Sequence, residues 1–259
     1  MLAVAILAGG LATRLRPLTD RVPKSLLEIA GRPFIFHQLE MLRNEGVDRV
    51  VLCVGHLGEQ IRAVVGDGRA HGMAIDYSFD GDESPLGTSP LPAGDVTAAA
   101  APVPRLQLLG TGGALRRALP ILGAAFFVLN GDSYLRCPLA RIQSAFEASG
   151  RPALMTVLRN DNRWERSNVL YQNGEIIEYD KHSPRADMAH VDFGLSVLSS
   201  AVFAPYAAAQ VIDLADICRD LSRSGLLAAF EVSERFHEIG SLRGIADTEE
   251  FLSRKRDNV

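Results

Sequence analysis

The chain has 259 residues, 47% hydrophobic and 22% charged, with a formal net charge of −4 at pH 7; this suits a globular protein with a core of good size. The weak negative charge excludes an electrostatic case for nucleic acid, whose phosphate backbone calls for a basic face, and favours a small-molecule partner. Three cysteines at wide spacing, Cys53, Cys137 and Cys218, fit a reducing, cytoplasmic setting rather than a disulfide framework or a zinc site.

The opening "MLAVAILAGG" lacks a basic n-region and is far shorter than the roughly 20 apolar residues that span a bilayer. It predicts a buried strand over residues 3 to 7 and no membrane partner. Ile35, Leu39, Leu42 and a terminal Gly46 then mark an amphipathic helix, and the apolar run Arg49 to Val54 suits a strand covered on both faces. Ala74 to Phe79 and Phe126 to Leu129 predict further strands, the second running into Asn130-Gly131-Asp132. This alternation is that of a doubly wound, mostly parallel, Rossmann-like α/β sheet. "NVLYQNGEIIEYDK" places an Asn173-Gly174 turn between two strand-like runs and adds a small antiparallel part. Without repeats or linkers, residues 1–259 predict a single domain; the Ala- and Pro-rich stretch 81–106 predicts a mobile surface insertion.

In such a sheet the ligand crevice lies outside the carboxyl ends of the strands. There Leu7-Ala8-Gly9-Gly10 lets backbone N–H groups approach phosphates, and Arg14 and Lys24 add positive charge. Neither the dinucleotide Gly-x-Gly-x-x-Gly pattern nor the Gly-x-x-x-x-Gly-Lys-Ser/Thr loop is present. Leu-Gly-Thr occurs twice, at 86–88 and 109–111. The first copy runs into Pro90 and Pro92, which remove donors and break helices. The second continues into two glycines and an amphipathic helix, so nucleotide contact is assigned to Gly110, Thr111 and Gly112.

The string Leu7 to Gly10, Thr13-Arg14-Leu15, Pro17-Leu18-Thr19 and Pro23-Lys24 closely resembles the signature of sugar-1-phosphate nucleotidylyltransferases. The likeness recurs at Gly110 to Gly113, Asn130 to Asp132, Glu178 and Lys181, Asp192 to Gly194, and Phe236 to Ser241. In style it is similar to the bacterial heptose-1-phosphate guanylyltransferases and muramic acid-1-phosphate uridylyltransferases. The resemblance implies transfer of a nucleotidyl group from an NTP to a sugar 1-phosphate, releasing pyrophosphate, with Mg²⁺ as cofactor. Lys24 is then expected on the α-phosphate or the sugar phosphate and Arg14 on the departing pyrophosphate. Asp132 is the expected metal ligand, joined by Glu238 where relatives usually carry Asp.

On the sugar side the resemblance implies Glu178, Lys181 and Asp192, the last standing where relatives often carry Asn. His56 is assigned to base or ribose, whereas His37 is read as a satisfied or exposed histidine. Trp164 with Arg163, Glu165 and Arg166 is left between a sugar pocket and an oligomer contact. Asp80 stands where uridine- and thymidine-using relatives often present Gln; a carboxylate accepts from guanine's two neighbouring donors, so GTP is favoured over UTP. The alternatives are a uridylyl- or thymidylyltransferase, a catalytically silent nucleotide-sugar-binding regulatory subunit, and, last, a molybdopterin-type nucleotidyltransferase. Oligomeric state is left open.

Overall fold

The computed structural model describes residues 1–80, 108–207 and 210–256. The predicted insertion at 81–106, with the first Leu-Gly-Thr copy, lies outside the described residues. In chain order the elements are β1 (Val4–Leu7), β2 (Glu28–Ile29), β3 (Arg32–Pro33), α1 (Phe34–Asn44), β4 (Arg49–Val54), α2 (Gly58–Val65) and β5 (Ala74–Phe79). There follow α3 (Gly110–Leu122), β6 (Ala125–Asn130), β7 (Ser133–Tyr134), α4 (Leu139–Ser149), β8 (Ala153–Arg159), β9 (Val169–Gln172) and β10 (Glu175–Tyr179). The last are β11 (His190–Ser199), α5 (Leu214–Arg223), β12 (Leu227–Val232), β13 (His237–Glu238) and α6 (Leu242–Arg256).

Among the described residues nine strands form one sheet. Its path runs β10-β9-β11-β6-β1-β4-β5, with β8 on β11 and β12 on β8. The segment β6-β1-β4-β5 is parallel, with Val4 beside both Val50 and Phe127. Its apolar runs are continuous because both faces are covered. Val4 and Ile6 pack with residues of α1, α2, α4 and α6, while Ala5 packs with those of α3 and α5. The doubly wound sheet read from the sequence is therefore present.

The antiparallel part begins at β11, which pairs with β6, β8 and β9. The pairing of β11 with β8 shifts register between Asp192 and Ser196, where Gly194 has a φ of 88°. A left-handed residue of this kind bends a strand at a bulge, and it turns Asp192 and Gly194 toward the carboxyl edge of β6. Asn173 and Gly174 take φ values of 52° and 85° in the turn joining β9 to β10, as that dipeptide demands. Among the described residues no helix is long and apolar enough to cross a membrane.

Candidate active site

The carboxyl ends of β1, β4, β5 and β6 open onto a cleft of about 300 Å³. Ala8 donates its backbone N–H to Cys53 O at 2.8 Å, so Gly9 and Gly10 leave the sheet edge beside the end of β4. Both line the cleft, with Leu7, Ala8, Lys24, Asp80, Gly110, Thr111, Asp132 and Lys181 among its other walls. His56, assigned to base or ribose, is not one of its lining residues. Cys53 also faces the cleft, but burial pushes its thiol up to about 12, which leaves no reactive thiolate.

Asp80 follows β5 and is only 7% exposed. Its N–H is anchored to Val54 O at 2.8 Å. Burial pushes its carboxyl up to about 6, against the opposing pull of the Leu109 N–H and the Arg117 charge. At neutral pH the cleft therefore holds a buried anion that accepts hydrogen bonds.

The turn at the start of α3 departs from its expected role. The N–H groups of Gly112 and Gly113 donate to the Ile212 carbonyl at 2.9 and 3.2 Å, and Ile212 N–H returns a bond to Leu109 O at 2.8 Å. Thr111 Oγ1 donates to Asp213 Oδ1 and accepts from the Leu214 N–H, both at 2.8 Å. Gly112 is thus corrected from a nucleotide contact to a packing position, because its donor is already engaged and a Cβ would meet Ile212 and Ile217 at 3.1 Å. Gly110 and Thr111 do reach the cleft wall.

A second cleft of about 450 Å³ adjoins the first. The pairing of Ser133 with Glu238 in the β7–β13 ladder brings the C-terminal "HEIGS" beside Asp132, and Ile239 N–H donates to Asp132 O at 2.9 Å. Lys24 Nζ stands 2.6 Å from Asp132 Oδ2. Glu238 accepts from the Gly240 N–H, and from the Ser241 hydroxyl at 2.9 Å. Gly240 leaves no room for a side chain: a Cβ there would clash with Glu238 Oε2 at 2.5 Å and would sit 3.4 Å from Asp132 Oδ2 and 3.5 Å from Arg14 Nη2, so both carboxylates and the guanidinium approach the same glycine. Two carboxylates brought beside one glycine supply the hard oxygens that Mg²⁺ takes, one or two at a time, with water and substrate oxygens completing its shell; here Asp132 Oδ2 is paired with Lys24. Among the described residues no group of three or more His, Cys, Asp or Glu is placed to hold a metal, so such a site would depend on substrate.

The far wall of this cleft carries Asp192, Tyr179 and Asn168. Asp192 Oδ1 accepts from the Gly194 N–H at 2.9 Å; desolvation raises its carboxyl above the ordinary range, opposed by that N–H, the Lys181 charge and the Tyr179 hydroxyl. Lys181 lines both clefts. Glu178, expected on the sugar, lines neither; it turns to Arg185 at 3.2 Å and Arg223 at 3.6 Å. Successive residues of β10 face opposite ways, so Tyr179 takes the cleft side.

Sequence reasoning left Trp164 and Glu165 undecided, and both line the second cleft. Their neighbours do not: Arg163 approaches Asp161 at 3.9 Å and Arg166 donates to Pro184 O at 2.8 Å. Desolvation inside the cleft, together with the charges of Asp192, Glu238 and Asp132, pushes the Glu165 carboxyl up to about 7, with Lys181 opposing, although the residue as a whole is exposed. Arg235 and Asp247 on the same cleft had no signature in the sequence; only the return of the C-terminal segment to β7 brings them there.

A nucleotidyl transferase family model matches residues 3–168. The chain is 40% identical over 128 residues to the N-acetylmuramate alpha-1-phosphate uridylyltransferase of Neisseria meningitidis serogroup B, covering 49% of this chain and 45% of that one. To the mannose-1-phosphate guanyltransferase of Saccharomyces cerevisiae it is 32% identical over 160 residues, covering 60% and 37%. The chain spans about half the length of the curated relatives it matches. Its fold is shared with HddC from Yersinia pseudotuberculosis, solved in complex with GMP-PN, at a TM-score of 0.73 and 21% identity over 97% of this chain and 100% of that one.

Proposed function

Because the chain belongs to the nucleotidyl transferase family, we propose that, as one domain in the cytoplasm, it transfers a nucleotidyl group from an NTP to a sugar 1-phosphate, releasing pyrophosphate, with GTP the favoured donor. The observation that carries this reading is the junction of the two clefts. They share Asn130, Asp132 and Lys181, so a nucleotide in one and a sugar phosphate in the other would meet at a carboxylate and an ammonium group.

In the proposed reaction an oxygen of the sugar 1-phosphate attacks the α-phosphorus, its bond to phosphorus forms, and the bond to the pyrophosphate oxygen breaks with that oxygen keeping the electron pair. No protein nucleophile is needed. The protein's share is to neutralise two polyanions and hold them in line. Lys181 at the junction suits the sugar phosphate, while Lys24, held at 2.6 Å from Asp132, is poised for the α-phosphate. Arg14 lines the second cleft and not the first, so its charge serves the sugar phosphate at the junction rather than the departing pyrophosphate that the sequence led one to expect. Mg²⁺, held by Asp132 and Glu238, would neutralise charge on the phosphate oxygens.

Asp80 supports GTP: guanine's ring N–H and amino group are adjacent donors for a buried carboxylate, whereas uracil flanks its single donor with two carbonyls that a carboxylate repels. The 40% identical stretch of a uridylyltransferase favours UTP as the competing donor. Pyrophosphate release should be measured for four NTPs against a panel of sugar 1-phosphates, with and without Mg²⁺. Magnesium-dependent release, fastest with GTP, is expected. Binding of nucleotide and sugar phosphate without release under any pairing would overturn the reading in favour of a silent regulatory subunit.

A further inference from the structure

Residues 160–167, between β8 and β9, form a loop whose backbone is fixed at nearly every step. At its centre Asn160 is 0% exposed. Its side-chain amide donates to Glu165 O at 2.6 Å and to Ser167 Oγ at 3.1 Å, and its Oδ1 accepts from the Trp164 N–H at 3.3 Å. Ser167 and Asn162 exchange two further bonds, at 2.9 and 3.1 Å. Asp161 and Asn162 sit in the left-handed region at φ 47° and 57°, a conformation these short polar side chains tolerate best after glycine. Such backbone persists only where its surroundings over-determine it, and it clusters at ligand sites.

The loop presents two side chains to the second cleft. Trp164 is 41% exposed, and the Arg235 guanidinium lies 5.1 Å from its ring centroid, itself 3.3 Å from Asp247. Glu165 shares that cleft with Asp192 and Lys181. A braced indole beside two acceptor carboxylates is complementary to a pyranose, which has an apolar C–H face and a rim of hydroxyl donors.

We propose that loop 160–167 is the sugar-reading arm of the acceptor site: Trp164 stacks on the C–H face of the pyranose and Glu165 accepts hydrogen bonds from its hydroxyls. The assignment rests on the transferase reading of the two clefts. It puts specificity on Glu165, with Asn160 as a positioning residue that acts through the loop.

Trp164 is the single tryptophan of the chain, so its fluorescence reports on this wall alone and needs no turnover. Glucose, mannose and N-acetylglucosamine 1-phosphates are titrated into the whole protein with Mg²⁺, followed in parallel by emission and by calorimetry. A saturable emission change with at least one of them, absent with GTP alone, is expected. In steady state at pH 8.5, where Glu165 is ionised, Glu165→Gln should raise KM for the sugar phosphate about tenfold, the effect of losing a charged acceptor, with kcat and the nucleotide KM near those of the parent. Trp164→Ala should behave alike, Trp164→Phe should keep most of the affinity, and Asn160→Ala should weaken sugar binding with an unchanged nucleotide KM.

Calorimetric binding of a sugar phosphate without an emission change would overturn the proposal. So would unchanged sugar KM values in both Glu165→Gln and Trp164→Ala, or the absence of binding by every sugar phosphate tried. If sugar phosphates bind and alter emission but no pyrophosphate is released with any NTP, the arm stands and the transferase reading falls.

Discussion

Asp80 gives a quantitative handle on the first cleft, the proposed nucleotide site. Its carboxyl, 7% exposed, is raised from 3.8 to about 6, a shift of about 3 kcal/mol between its two protonation states. The folded protein therefore holds a proton that the unfolded chain releases between pH 4 and 6. Asp80's contribution to stability is fully present below about pH 4, falls as pH rises through 6, and stays lost at neutral pH. Asp80→Asn keeps an acceptor for the Leu109 N–H but removes the buried charge. Urea unfolding of parent and variant at pH 4.5 and pH 7.5 should show the variant gaining about 1–3 kcal/mol on the parent at the higher pH, and much less at the lower. The same change should cost function: kcat/KM for GTP relative to UTP should fall about tenfold, and further toward UTP in Asp80→Gln, through the mispaired buried partner. A variant less stable than its parent at pH 7.5, or a stability difference equal at both pH values, would refute the burial argument. An unchanged GTP-to-UTP ratio would remove Asp80 as the selector.

Asp132→Asn should lower turnover by at least about 100-fold at saturating Mg²⁺, with an unaltered circular dichroism spectrum; near-parent rates would remove it as a metal ligand. Gly110→Ala should cost more stability than Gly123→Ala in thermal melts. Both positions have left-handed φ values, 75° and 88°, but only at Gly110 would a Cβ collide with a carbonyl, that of Ile212, whereas nothing lies within 4 Å at Gly123. Equal melting shifts would mean that the contact with Ile212 is not what demands glycine there. Glu178→Gln should leave kcat/KM for both substrates at parent values and change stability by no more than about 1 kcal/mol, since its arginine partners are solvent-exposed; a rise in the sugar KM would restore Glu178 to the sugar site.

What the sequence disclosed was what short-range patterns can encode. The strand Ala74–Phe79 has the bounds that its residues predict, and the Asn173-Gly174 hairpin forms because its turn chemistry is complete within two residues. The residues nearest the sheet's carboxyl edge were legible for the same reason, because Ala8 to Gly10 directly follow β1 and Asp132 lies two residues past β6. Long-range placement was not. β11 makes its choice among three partners with residues as distant as Phe126 and Arg159, and no local pattern states which face of β10 will meet a cleft. The charged residue at the end of a motif, Glu178, thus stands off both clefts, while Glu165 on a loop without a motif lines the second.

The Gly-Thr-Gly-Gly turn shows how a correct pattern can carry an incomplete mechanism. Glycines opening a helix expose backbone donors, and from the sequence those donors have no partner but a ligand. In the fold, Ile212 lies about a hundred positions further along the chain, and its carbonyl takes the donors of both Gly112 and Gly113. The glycines are then required by the approach of a second backbone, with Thr111 closing the contact through Asp213. The same junction sets Gly110 and Thr111 against the cleft beside Asp80. What the turn gives the proposed nucleotide site is thus a wall held in place by residues 210–214, with Gly110 and Thr111 as its exposed edge, while the carboxylate proposed to select among bases stands at the end of β5.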